Sequence, residues 1–145
     1  MQSSTESKMR KQLKQEIFEL GIAYSNMFQS GITMDRLESN ISDKQRKFHY
    51  NVYKYNKEIF RQVQSGVFLM IDLLHDKNDK VKRELKSKIA LLNILYSNKF
   101  ESDLTFSRTD PNDKSVVEFH KKVYDSQEKV YNEEYEEIKK LVDKL

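Results

Sequence analysis

Residues 43–75 read DKQRKFHYNVYKYNKEIFRQVQSGVFLMIDLLH. At about 100° per residue this stretch sorts into two opposed helical stripes. Lys47, Tyr50, Lys54, Lys57 and Arg61 fall on one narrow face, and Phe48, Val52, Tyr55, Ile59 and Val63 fall nearly opposite. A helix of a folded domain turns its apolar stripe inward. The pattern therefore predicts that the Phe48 side is buried and that the basic side, with its tyrosine, faces out. Ser42 and Gln45 stand in the spacing of a capping box, which sets the start of the helix. Gly66 inside it costs about 1 kcal/mol relative to alanine and marks a bend or a close helix crossing.

The same periodicity extends outward on both sides. Met9, Leu13, Ile17, Leu20, Tyr24 and Met27 alternate spacings of four and three, which predicts a helix over roughly 5–29. Gly31 is placed to end it in the left-handed conformation, and Thr33 to Ser39 form one further short turn or plain loop. After the break at His75 to Asp79, Val81, Leu85, Ile89, Leu92 and Tyr96 predict a third helix over roughly 79–97. Residues 98–109 lack a helical period and read as an irregular connection, with Phe100, Leu104 and Phe106 as exposed anchors or as a cover over the core end. Asp110-Pro111 reads as a cap followed by proline in the first helical position. From there Val117, Tyr124, Tyr131, Ile138 and Leu145 repeat every seven residues, the spacing of left-handed coiled-coil packing. Four helices, roughly 5–29, 43–75, 79–97 and 111–144, predict an all-α, four-helix bundle-like single domain over residues 1–145.

Composition agrees with few, long helices. The 145 residues include only three Gly and one Pro, too few turn formers for a sheet with several hairpins. Eight Tyr and eight Phe supply a core that a disordered chain would lack. Cysteine is absent, which excludes disulfides, thiolate metal sites and a cysteine nucleophile. No apolar run approaches the roughly 20 residues of a membrane-spanning helix; the longest, Val67 to Ile71, is closed by Asp72. The N-terminal residues lack an apolar signal core, so the expected location is cytoplasmic, although a signal lying upstream of Met1 would be invisible in this chain. The net charge is +3, with residues 1–61 carrying eleven Lys and Arg against seven Asp and Glu. The positive excess thus sits where the basic stripe lies.

The same residues offer few catalytic patterns. Asp72-x-x-His75 has di-iron spacing but no second copy, and neither His-Glu-x-x-His, Gly-x-Ser-x-Gly nor a glycine-rich phosphate loop occurs. His75-Asp76, at the end of the apolar run Ile71-Asp72-Leu73-Leu74, is locally similar to the His-Asp pair of the HD-domain metal phosphohydrolases. That resemblance implies His49 as the first metal ligand and Asp103, Asp110 or Asp125 as the last. On a continuous helix, His49 and His75 would stand about 39 Å apart, whereas metal ligands lie about 2 Å from their ion. Only a fold-back near Gly66 would join them.

The expectation is a non-catalytic helical interaction protein with no cofactor and no metal. It would bind a protein partner through Lys47, Tyr50, Lys54, Lys57 and Arg61. The C-terminal helix offers a second surface, for a partner or for a dimer. Glu134 falls on the seam shared by His120, Gln127 and Leu141, which suggests that this end projects beyond the core. The alternative partner for the basic stripe is nucleic acid, with the lysines on phosphates and Tyr50 on a base.

Overall fold

A computed structural model of the chain describes residues 4–74 and 79–145. Four helices account for nearly all of them: α1 (Ser4–Asp35), α2 (Asp43–Leu73), α3 (Asp79–Ser107) and α4 (Lys114–Asp143). No strand occurs among the described residues. The chain is all-α and four-helix, with bundle-like side-by-side packing of α1 on α2 and of α3 on α4. It divides into two compact units, Met1–Asn78 and Asp79–Leu145.

The first unit is an antiparallel hairpin. The Tyr24 ring meets Phe60 edge-on at 5.4 Å, and the Asn56 amide donates to Asn26 O and Ser30 Oγ at 3.4 and 3.2 Å. Farther toward the turn, Gly31 faces Tyr53. A Cβ built on Gly31 would lie 3.2 Å from the Tyr53 ring. Gly31 therefore does not end α1, as the sequence suggests, but sits inside it and lets α2 approach. The helix continues through Thr33, whose hydroxyl donates to Gln29 O at 3.0 Å. Gly21, in contrast, has nothing within 4 Å of such a Cβ. Gly21→Ala is expected to raise stability by roughly 0.5–1 kcal/mol by removing backbone freedom from the unfolded chain. Gly31→Ala is expected to gain nothing, because the Tyr53 ring must yield. Thermal unfolding of the two variants checks this contrast.

The capping box of α2 is present in both directions: Ser42 Oγ accepts from Gln45 N at 3.2 Å, and Ser42 N donates to Gln45 Oε1 at 3.1 Å. The inward face of α2 differs from the expected one. Tyr53, Asn56 and Phe60 meet α1, and Val67, Ile71 and Leu74 are buried. Phe48 and Tyr55, expected inside, are 63% and 68% exposed, while Val52, Ile59 and Val63 are half-buried. The helix is rotated by about a quarter turn from the expected orientation. Phase alone could not reveal this, because two apolar rows run side by side along α2.

The second unit is likewise antiparallel. Tyr96 meets Tyr131 edge-on at 6.2 Å, and Phe106 stacks on Tyr124 at 6.4 Å. Leu85, Ile89 and Leu92 of α3 are buried, as are Ile138, Leu141, Val142 and Leu145 at the end of the chain. The C-terminal end is thus buried rather than projecting. Burial pushes the Tyr131 hydroxyl above its ordinary pKa near 10.

The presence of Glu134 on this seam has a local cause. Lys88 of α3 donates to it at 3.1 Å, with both side chains largely covered. Lys88→Met is expected to lose about 1–2 kcal/mol in chemical unfolding, more than an exposed pair, because the carboxylate stays behind without its cation. Adding Glu134→Gln should recover part of that loss.

Residues 98–107, expected as an irregular connection, continue α3. Their hydroxyls are absorbed by the helix itself: Thr105 Oγ1 donates to Glu101 O at 3.0 Å and Ser107 Oγ to Leu104 O at 2.9 Å. Phe100, Leu104 and Phe106 are half-buried on this extension. The fourth helix starts later than Asp110-Pro111 implies. Asp110 closes a turn by accepting from Asn112 N at 2.9 Å, and Asp113 is the cap, accepting from Val116 N at 3.3 Å.

Candidate binding face

α2 runs unbroken through Gly66, so Lys47, Tyr50, Lys54, Lys57 and Arg61 do share one face of one rigid rod. Lys47, Lys54 and Arg61 are exposed, and Tyr50 is 51% exposed. Lys57 is half-buried, its ammonium 5.9 Å above the Tyr53 ring, an orientation favoured by the negative ring face. Tyr53 is fixed in turn by the close approach at Gly31. The packing of α1 on α2 therefore reaches the basic face through one aromatic ring.

The side chains enclose an open groove of about 620 Å³, with Tyr50, Tyr53, Lys54, Lys57, Glu58 and Arg61 among its walls. A second hollow of about 420 Å³ continues past Tyr50 to the α1–α2 turn, where Met34, Leu37, Arg46 and Lys47 line it. Tyr50 borders both. Among the described residues, Lys47, Lys54, Lys57 and Arg61 make no ion pair; the carboxylates of the two hollows are Glu58, which accepts from Gln62 at 3.5 Å, and Asp43 at the start of α2. The N-terminal end of α2 also contributes the positive end of its dipole nearby. The arrangement suits an anionic chain with apolar side groups: cations for the charge, tyrosine rings for the rest.

Tyr53, Arg46, Met34 and Leu37 also line these hollows and escaped the sequence reading. Arg46 is exposed, donates to Glu38 O at 3.2 Å, and lies one turn before Tyr50. Met34 and Leu37 come from the end of α1 and its turn. The spacing Arg46, Tyr50, Tyr53, Lys57 is itself a four-three-four repeat, a signal available in the sequence. Met34 and Leu37 carry no such signal, because residues 33–39 read equally as a short turn or a plain loop.

The His-Asp constellation divides differently. His49 is half-buried on α2, its ring edge-on to Phe48 at 5.4 Å. His75 and Asp76 lie outside the described residues. The fold-back at Gly66 that would bring His49 toward them is not there, since α2 is continuous to Leu73. Among the described residues no three His, Asp or Glu side chains gather in a group able to hold a metal ion. His120 borders a separate polar hollow of about 400 Å³ between α3 and α4, with Glu101, Ser102, Thr105 and Gln127. No described helix is long and apolar enough to cross a membrane.

No known protein family, curated protein or solved structure matches the chain.

Proposed function

We propose that this chain is a non-catalytic interaction module that binds an acidic protein segment along the basic, tyrosine-bearing face of α2. The observation that supports it is the state of the charges. Lys54, Lys57 and Arg61 line the groove, and Lys47 the adjoining hollow, without ion pairs among the described residues. Four of the six lysines of α4 are committed differently: Lys122, Lys129, Lys139 and Lys140 each pair with a glutamate of their own helix. The two helices therefore differ in the charge left to attract a partner. Long-range attraction would speed the encounter and orient the segment, and Tyr50 would supply the apolar contact that slows release.

The reading favours protein over nucleic acid because the face is short and Glu58 sits within it. Fluorescence anisotropy separates the two. A glutamate-rich peptide containing an aromatic residue, a short single strand and a short duplex are each titrated at about 50 and 200 mM salt. Binding of the peptide at both salt concentrations supports the proposal. Tight binding of a strand or duplex that collapses at the higher salt, without peptide binding, replaces it with a phosphate track.

A further inference from the structure

A second row of α2, apolar at six of its eight positions, lies mostly outside the fold, with Val52 and Ile59 half-buried. Phe48, Val52, Tyr55, Ile59, Gln62, Gly66, Leu69 and Leu73 alternate spacings of four and three without a slip. That is a coiled-coil seam. It lies beside the row that starts at Tyr53, Asn56 and Phe60 and meets α1. Phe48, Tyr55, Leu69 and Leu73 are each at least 60% exposed. A solvated surface has no need of a strict heptad, and an apolar row this long on a folded domain marks a contact.

We propose that this outer seam pairs with the same seam of a second copy, antiparallel, about a two-fold axis between Ile59 and Gln62. The self-fit of the sequence selects that occupant. Antiparallel pairing about this axis sets Phe48 against Leu73 of the second copy, Val52 against Leu69, Tyr55 against Gly66 and Ile59 against Gln62. The largest ring thereby meets the one position without a side chain. A Cβ built on Gly66 has nothing within 4 Å, so the space for a ring is open.

On the open flank of the seam the same apposition sets Asn51 beside Asp72 and Glu58 beside Ser65 of the second copy, so no like charges meet. A parallel pair in register would instead set Gly66 against Gly66, leaving a gap, and Tyr55 against Tyr55. The seam shares Tyr55 with the groove wall but contains none of Lys47, Tyr50, Lys54, Lys57 and Arg61, so the dimer does not depend on the proposed function.

Sedimentation velocity on the full chain, across micromolar concentrations, is the first test. A dimer is expected, and Leu69→Glu with Leu73→Glu is expected to make it a monomer with an unchanged helical circular dichroism spectrum. Phe119→Glu, which alters an exposed apolar residue of α4, should leave the dimer intact. The orientation is read by oxidation, because the chain has no cysteine of its own. A single Gln62→Cys near the axis should cross-link two copies. A single Phe48→Cys should not, since antiparallel pairing holds those positions about 38 Å apart. A monomeric wild-type chain, a dimer indifferent to Leu69→Glu/Leu73→Glu, or cross-linking through Phe48→Cys each overturns the proposal.

Discussion

Lys54→Glu combined with Arg61→Glu is expected to abolish capture of an acidic partner while leaving the hairpin folded. Both side chains are exposed and lie about two turns apart on the groove wall. Reversing them turns two attractions into two repulsions, a loss on the order of 100-fold or more in affinity if each is worth about 1.5 kcal/mol. The structural cost is small for a stated reason. Neither residue has an ion pair to lose among the described residues, and the new glutamates only meet Glu58 one turn away, a repulsion of a few tenths of a kcal/mol. Thermal unfolding should therefore move little while binding disappears. Tyr50→Ala supplies the complementary test, since it should weaken binding with little change in salt dependence. If the charge-reversed chain binds the acidic peptide as the wild type does, the basic face is only a solvated surface.

The legible and illegible parts of this chain have separate physical causes. Helices α1, α3 and α4 carry one dominant apolar row each, so Leu13 and Ile17, Leu85 and Ile89, and Ile138 and Leu145 are buried as their spacing implies. α2 carries two rows side by side, and the row headed by Phe48 is the outer one. Periodicity identifies the seams but cannot rank them. That choice is made by Gly31, which opens a path for Tyr53, and by the Asn56 amide reaching Asn26 and Ser30. Both are properties of the partner helix, absent from any reading of α2 alone. The extension of α3 through residue 107 was hidden for another reason. Serine and threonine ordinarily compete with helix formation, yet here Ser97, Thr105 and Ser107 bond to carbonyls three or four residues earlier within the same helix. The basic face needed no such information. Five positions on one turn of the wheel stay together whichever way the helix is rotated, and the rotation decides only that Tyr53 and Arg46 join them.

The same distribution of burial predicts that each hairpin is stable at one end and loose at the other. In the first unit the buried residues lie between Arg10 and Ala23 and between Val67 and Leu74, with none from Tyr24 to Gly66. In the second they lie between Lys82 and Leu92 and from Ile138 onward, with none from Asn93 to Glu137. Two truncations of equal size should then differ widely. Leu13→Ala removes a side chain with no exposed surface and is expected to cost about 2–5 kcal/mol through lost transfer energy and the cavity left behind. Leu37→Ala, at a half-buried position by the turn, is expected to cost under about 1 kcal/mol, because water already reaches it. Leu85→Ala against Leu104→Ala repeats the comparison in the second unit. Chemical unfolding checks the magnitudes, and amide hydrogen exchange checks the cause, with protection strongest around Leu13, Ile71, Ile89 and Ile138 and falling toward both turns. Equal costs at the two ends would mean that the turn halves are held by contacts beyond their own hairpin. An outer partner on α2 would have that effect from Phe48 to Leu73, so Leu37→Ala and the exchange of α2 should be compared below and above the concentration at which the chain dimerises.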